Sequence, residues 1–271
     1  MKTFNIKFNA ATSVGGREMN QDVFLANNVV SDADTIKDQY FEDVCSCSNG
    51  DIRVFAVCDG IGSYKNSGFA AHTALSKIQN LIVEYNTFLK NEQIGLDAWV
   101  LYALDEARSA MLDFCRRNNY NGASSTIAML VLRDGEYVFA NIGDSPCYAR
   151  TAEGEFKELS LKHNLATYKR RKNIDCSEND ERVLLYHLGD KSREIMLTTH
   201  MVSGRINSKD AFFVCSDGVA ATLGEGAVNN MLAEQQTSDK FVAKAAECPG
   251  ADNCTAITIY IENADSGDVV G

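Results

Sequence analysis

The sequence predicts an α+β fold, and three observations support that prediction. Two amphipathic helical patterns follow one another between residues 68 and 115 instead of alternating with strands. Six short runs are rich in the β-branched and aromatic residues that are typical of strands. Asp134-Gly135 separates two of these runs, Glu153-Gly154 follows another and would close the next hairpin, and such dipeptides favour hairpin turns. Consecutive hairpins indicate an antiparallel sheet, so a doubly wound parallel fold does not fit the pattern.

The helices are predicted from apolar residues that recur at three- and four-residue steps. The first pattern spans 68–85, the second spans 96–115, and a weaker one lies between 240 and 247. Each of the two strong patterns has a single apolar stripe. We therefore expect each of these helices to cover a flat apolar surface.

The strands supply that surface. They are predicted at 53–58, 126–132, 137–142, 147–150, 211–215 and 256–261. The stretch 161–209 has mixed polarity and poor periodicity, and we interpret it as a largely irregular insertion near a functional site. Acidic residues are concentrated in a second insertion, at 31–52, to which we assign no function.

Composition excludes several classes of protein. The chain has 271 residues, of which 45% are hydrophobic, and 26 Lys and Arg against 37 Asp and Glu give a net charge of −11. This balance excludes a disordered chain and argues against a protein that binds duplex nucleic acid. No apolar run is long enough to span a membrane, and the start of the chain lacks a signal-peptide pattern, so we expect a cytoplasmic protein.

Two prolines leave no Pro-rich linker, so we expect one domain over 1–271 and a monomer. The nine cysteines show no CxxC spacing, and Cys58, Cys215 and Cys254 lie in apolar runs. We therefore expect free thiols that act as small apolar side chains. The four histidines are scattered as well, which disfavours a zinc site.

Five aspartates lie where predicted strands run out. They are Asp22, Asp59, Asp144, Asp217 and Asp252. A carboxylate at the end of a buried strand costs desolvation energy unless a cation or hydrogen bonds compensate. Each aspartate alone is typical of a turn. Together they suit Mg²⁺ or Mn²⁺, which are hard cations that prefer oxygen ligands.

These aspartates belong to five short motifs, at 17–22, 57–62, 140–145, 215–219 and 252–255. In this order the motifs resemble those of the metal-dependent Ser/Thr protein phosphatases, the PPM type also called protein phosphatase 2C, and the compact bacterial members in particular. The similarity extends to about Ile261, over nearly the whole chain. It implies a four-layer αββα sandwich, with two central antiparallel sheets flanked by helix pairs and a metal cluster at one end.

The resemblance also implies a ligand set. Asp59 would bridge two metals, and Gly60 would add a backbone carbonyl. Asp217 and Asp252 would hold the first metal, and Asp144 with Asp217 would hold a third, weaker one. The expected cofactors are therefore two, and up to three, Mg²⁺ or Mn²⁺ ions.

Two further roles follow from the resemblance. Asp22 would orient metal-bound water, and Arg17 would grip the substrate phosphate, for which a bidentate guanidinium is suited. A phosphate monoester is very inert, and two divalent ions that share one water lower its pKa and neutralise phosphoryl charge. The expected activity is therefore hydrolysis of phosphoserine and phosphothreonine on proteins, the substrates of a Ser/Thr kinase.

Two alternatives stay open at this point. One is a catalytically silent module that binds phosphoproteins, and the other is a regulatory phosphatase dedicated to one partner protein. The chain also departs from the family pattern. Gln21 stands where many members carry a metal-binding Glu, Ile61 replaces a histidine of many animal members, Ser63-Tyr64 replaces Gly-His, Phe69 replaces a frequent Glu, and Pro146 replaces an Arg.

The insertion at 161–209 corresponds to the family's flap, the name we use for it from here on. Within it, 169–172 is the one dense basic run of the sequence. A basic run is usually a solvated face. The alternative is that it attracts acidic phosphopeptides. For His163, also in the flap, we expect a structural hydrogen bond.

Overall fold

The computed structural model describes residues 3–61, 64, 66–190 and 192–263. Gly62 and Ser63, which the motif comparison included, lie outside the described residues. The strands form two six-stranded antiparallel sheets, which we call sheet I and sheet II.

Sheet I contains the two chain-terminal strands of the described part. Its members are β1 (Phe4–Ser13), β4 (Gln39–Cys47), β8 (Cys147–Arg150), β9 (Phe156–Glu158), β11 (Ala211–Cys215) and β12 (Cys254–Asn263). Their order across the sheet is β4-β1-β12-β11-β8-β9.

Sheet II is built from β2 (Asp22–Ala26), β3 (Val29–Val30), β5 (Arg53–Asp59), β6 (Ile127–Arg133), β7 (Glu136–Ile142) and β10 (His200–Arg205). Their order is β10-β7-β6-β5-β2-β3. The two strong sequence patterns form α1 (Ser67–Glu84), which continues into a π-helical turn (Tyr85–Leu89), and α2 (Leu96–Asn118). The remaining helices are α3 (Leu165–Arg171), α4 (Glu178–Glu181), α5 (Ile195–Thr198), α6 (Asp217–Ala233) and α7 (Ser238–Ala246).

Three apolar layers hold these elements together. One lies between α1, α2 and sheet II, the second between the two sheets, and the third between sheet I and α6, α7. The order helix, sheet, sheet, helix confirms the predicted α+β fold and the four-layer sandwich. The single-domain organisation over 1–271 stays a prediction.

The alternation of side chains in β5 explains why its sequence is apolar throughout. Val54 and Ala56 pack under α1 and α2, whereas Phe55 and Val57 pack between the sheets. Both faces of a central strand are buried in this architecture, so no polar position interrupts the run.

Both predicted hairpin turns are confirmed. Asp134 and Gly135 have φ of 48° and 86° between β6 and β7, as a primed two-residue turn requires. Gly154 has φ of 92° in the connection between β8 and β9. Cys58, Cys215 and Cys254 are free thiols and are buried, as expected. Among the described residues, no helix combines the length and the apolar character needed to cross a membrane.

The prediction that 161–209 is largely irregular holds for just over half of its described residues, but it misses four short elements. The flap contains α3, α4 and α5, and its last strand, β10, pairs with β7 at the edge of sheet II. These helices have seven, four and four residues, too few to establish a helical period. β10 is an edge strand without a fully buried residue, so it lacks the apolar run of a central strand.

Candidate active site

Sheet register brings the first two carboxylates together. β2 pairs antiparallel with β5, and Asp22 lies directly opposite Asp59. Asp22 begins its strand rather than following one, which corrects the expectation that it lies where a strand runs out. In an antiparallel pair the start of one strand meets the end of the other, so both residues reach the same edge of sheet II. Like charges opposite one another are destabilising unless they are compensated.

The other three aspartates approach from the neighbouring connections. Asp144 follows β7, Asp217 begins α6 directly after β11, and Asp252 precedes β12. The position of Asp217 in the first turn of α6 is favourable, because the amino end of a helix carries partial positive charge. The strand-end prediction is therefore confirmed for Asp144 and Asp217, whereas Asp252 lies just before a strand. We use the name carboxylate cleft for the five aspartates together with the open space that Asp144, Asp217 and Asp252 line.

Electrostatics show that the five carboxyl groups are close neighbours. Burial, followed by the charges of Asp22, Asp217 and Asp144, raises the pKa of Asp59 well above its ordinary value. Burial is also the main cause that raises the pKa of Asp144 to about 7, with the charge of Asp217 next. Burial also raises the pKa of Asp217, with the charge of Asp252 acting in the same direction and the nearby Asp59 carboxyl opposing it. Charges that lie near one another in low dielectric each disfavour ionisation of the rest.

Asp22 is the most deeply buried member of the cleft. Its residue exposure is 0%, and neither carboxyl oxygen has a hydrogen-bond partner among the described residues. Burial raises the pKa of Asp22 to about 7, and the nearby hydroxyl groups of Ser216 and Thr255 oppose that shift. Buried polar atoms without partners are rare in folded proteins, so these two oxygens point to a ligand.

Arg17 lies at the rim of the cleft. Its guanidinium donates to Oδ2 of Asp252 at 2.7 Å, and both side chains are about half exposed. The pKa of Arg17 is raised first by this hydrogen bond and by the charge of Asp252, and then by the charges of Asp217 and Asp59. The predicted phosphate-binding cation therefore does face the predicted metal ligands.

A shell of hydroxyl groups fixes the backbone at Asp59, and sequence reasoning missed it. Ser125 Oγ donates to the Asp59 carbonyl at 2.8 Å, and the Asp59 amide donates to Thr126 Oγ1 at 3.0 Å. Thr126 Oγ1 also bonds Ser145 Oγ at 2.7 Å. The available signal was the Ser-Ser-Thr run at 124–126, which directly precedes β6. These bonds keep the end of β5 in place although its side chain is electrostatically strained.

Two glycines allow the backbone to close around the site. A Cβ on Gly60 would lie 2.8 Å from the Gln21 carbonyl oxygen, and one on Gly218 would lie 2.1 Å from the Asn253 carbonyl oxygen. Only glycine permits such approaches. The Gly60 amide accordingly donates to the Gln21 carbonyl at 3.2 Å. The side-chain amide of Gln21 donates to the Tyr64 carbonyl at 3.3 Å, outside the set of carboxylates.

An open cleft of about 780 Å³ leads to the carboxylates. Its lining includes Arg17 and Lys162, together with three of the aspartates: Asp144, Asp217 and Asp252. The charge of Lys162 lowers the pKa of both Asp144 and Asp217 against the larger effect of burial. Lys162 is therefore a second cation at the site, and no local sequence pattern singles it out.

The donor chemistry fits a hard divalent ion. The five aspartates offer carboxylate oxygens as donors, and the two buried oxygens of Asp22 have no hydrogen-bond partner among the described residues. Over 3–61, 64, 66–190 and 192–263, however, no three His, Cys, Asp or Glu side chains are already arranged as a metal site. Asp252 is instead paired with Arg17, at 2.7 Å.

Known proteins share both sequence and fold with this chain. Residues 33–258 match the family model described as protein phosphatase 2C. A serine/threonine phosphatase, stp, of Listeria innocua is 23% identical over 217 residues, which cover 76% of this chain and 83% of that protein.

Two solved structures share the fold. The serine/threonine phosphatase Stp1 from Staphylococcus aureus has a TM-score of 0.76 at 17% identity, covering 94% of this chain and 95% of that one. The catalytic domain of the serine/threonine protein phosphatase PstP, solved in complex with two manganese ions, has a TM-score of 0.71 at 15% identity, covering 96% and 100%. Since the family model spans most of the chain, this chain belongs to the protein phosphatase 2C family.

Proposed function

We propose that this chain is a Mg²⁺- or Mn²⁺-dependent phosphatase that hydrolyses phosphoserine and phosphothreonine on proteins. The observation that carries the proposal is the convergence of five aspartates in one cleft with Arg17 at its rim. Five buried or half-buried acids near one cation are costly for stability alone, which favours a catalytic explanation.

The aspartates would hold the metal ions. Asp59, Asp217 and Asp252 are the principal ligands in the proposal, with the Gly60 carbonyl beside them, and Asp144 serves a third ion. When bound, the ions supply an acidified water and neutralise charge on the phosphoryl oxygens. Binding would also remove the mutual repulsion of the carboxylates.

The residues of this chain would position the reactants. Asp22 accepts hydrogen bonds through its two free oxygens, and it thereby orients water at the centre of the cleft. Arg17 offers two parallel N–H groups to two phosphate oxygens, once its contact with Asp252 is exchanged for the substrate. Lys162 adds positive charge to the lining of the cleft. We further propose a cytoplasmic monomer whose partners are the products of a Ser/Thr kinase.

The test is release of phosphate from phosphoserine, phosphothreonine and phosphotyrosine peptides, measured side by side with Mn²⁺, with Mg²⁺ and with a chelator. We expect turnover on the first two peptides, none with the chelator, and recovery when metal is added back. Asp43→Asn is a matched control for substitutions in the cleft, because Asp43 lies on the exposed edge strand β4. Metal-dependent binding without turnover would instead identify a silent phosphoprotein-binding module.

A further inference from the structure

The flap contains a second pocket, next to the carboxylate cleft. It has a volume of about 250 Å³ and lies between α3, α5 and the start of β10. We call it the flap pocket. Lys162 and Asn164 line both this pocket and the carboxylate cleft, so the two are adjacent. One bound peptide can therefore reach into both.

The flap pocket is cationic in a protein of net charge −11. Its lining includes Lys162, Arg171, His163 and His200, and no Asp or Glu is among the described residues that line it. Its volume is below the 300–1,000 Å³ typical of sites for whole small ligands. It therefore fits one side chain better than a cofactor.

The basic run of the flap divides into two parts with different partners. Lys169 Nζ donates to both carboxyl oxygens of Asp180 at 2.9 Å, and Arg170 pairs with Glu181. These pairs hold α4 against α3, and in them Lys169 and Arg170 neutralise Asp180 and Glu181. Arg171, by contrast, has no ion pair or hydrogen bond within the described part of the chain, and it faces the flap pocket. Lys172 is likewise exposed and unpaired there but does not line the pocket.

His163 supplies a buried donor at the base of the pocket. Its residue exposure is 8%, and its Nδ1 accepts a hydrogen bond from the Gly143 amide at 3.1 Å. The neutral ring therefore carries its proton on Nε2, which has no partner among the described residues. Nε2 of His200, which also lines the pocket, already donates to the Leu159 carbonyl at 3.1 Å, so it is not available to a ligand.

We propose that the flap pocket binds the carboxylate of a Glu or Asp side chain that lies near the phosphorylated residue of the substrate protein. Arg171 provides the charge, His163 Nε2–H provides a donor at the base, and Leu161 and Leu185 cover the methylene groups. This inference rests on the proposed function, since it assigns a substrate preference to the same enzyme. It makes Arg171 a specificity residue within an otherwise solvated basic run.

The experiment moves one Glu along the positions on either side of phosphothreonine in a peptide whose other flanking residues are neutral. We divide kcat/KM for each peptide by kcat/KM for an aryl phosphate, which has no side chain to place in the pocket. The wild-type ratio should rise about tenfold at one favoured position. Arg171→Gln should remove that preference, and Lys172→Gln, which loses the same charge one residue further on, should keep it. Circular dichroism checks that both variants are folded.

Equal effects of the two substitutions would overturn the proposal, since that result indicates long-range attraction by net charge alone. A wild-type ratio that is the same for every peptide would overturn it as well. Binding to the flap pocket can also be measured without enzymatic turnover. If no substrate is hydrolysed, fluorescence anisotropy of labelled peptides with chelated protein still reports whether Arg171 selects the Glu-containing peptide, so that failure of the enzyme and failure of the pocket give different results.

Discussion

The carboxylate cleft and the flap pocket lie side by side, share Lys162 and Asn164 in their linings, and have opposite charge. The cleft is formed by residues at the ends of strands, whose positions follow from pairing between strands. The pocket is formed by short helices and turns of the flap. The difference suggests a division of roles in this fold. The sheets position the aspartates proposed to take part in the reaction, and the flap adds the residues proposed to select the substrate.

The largest expected effect tests whether the cleft is a working site. Asp59→Asn should lower turnover of an aryl phosphate with Mn²⁺ by about a thousandfold or more, because it removes the ligand proposed to bridge two ions. The same substitution removes repulsion with Asp22, Asp144 and Asp217, so the metal-free variant should unfold at a higher temperature than the wild type. Retained turnover in Asp59→Asn would falsify the two-metal proposal.

The next effect concerns the rim of the cleft. Arg17→Ala should lower kcat/KM for an aryl phosphate by about 10- to 100-fold, since a charge-assisted bidentate contact is lost. Arg17→Lys keeps the charge but loses the planar pair of donors, and it should recover only part of the loss. Steady-state kinetics separate the two variants, and full activity in Arg17→Lys would mean that charge alone matters at this position.

Metal binding should also raise the thermal stability of the protein, which can be measured in the absence of substrate. An ion present at about 100 times its Kd stabilises the folded state by about 2.7 kcal/mol, which corresponds to roughly 5–10 °C in Tm for a chain of this size. Adding Mn²⁺ should therefore raise the Tm of the chelator-treated wild type and leave that of Asp59→Asn nearly unchanged. Equal shifts in both proteins would place the ion outside the carboxylate cleft.

The smallest expected effect tests how the flap is attached. Burial lowers the pKa of His163 to about 4, with the charges of His200 and Arg171 as further causes. The folded state therefore binds fewer protons than the unfolded state, and this contribution to stability is lost as the pH falls from about 6.5 through 4. His163→Ala should cost about 1–3 kcal/mol at pH 7.5, because the Gly143 amide loses its acceptor.

Urea denaturation at pH 7.5 and at pH 5 measures that effect. The difference between the wild type and His163→Ala should shrink at the lower pH, since only the wild type has a proton to take up at this position. A difference that is independent of pH would mean that His163 is not held neutral in the folded protein.

Periodicity and turn chemistry were enough to predict the fold class. The strands at 53–58 and 137–142 and the helices that became α1 and α2 have strong patterns, and Asp134-Gly135 fixed one hairpin. α6 was missed because Gly224, with φ of 72°, and Gly226 interrupt its apolar stripe. β4 was missed because it is an exposed edge strand with charged residues.

The candidate site divides in the same way. The aspartates were found because each stands next to a strand, which a sequence displays locally. The Arg17–Asp252 pair joins residues 235 positions apart, and the contact of His163 with Gly143 depends on how the flap folds back. Contacts of this kind depend on tertiary packing, so no local sequence pattern predicts them. Lys162 looked like an ordinary surface charge for the same reason, and nothing local set Arg171 apart from the rest of the run at 169–172.

The pairing of Asp22 with Asp59 also limits where residues can be inserted or deleted in the protein. Side chains alternate along a strand, so one added or deleted codon within β2 or β5 would turn one carboxylate away from the other and end activity while most of the core survived. Insertions in the flap carry no such penalty. Relatives that acquire new targets should therefore differ in length at the flap and keep these two strands free of gaps.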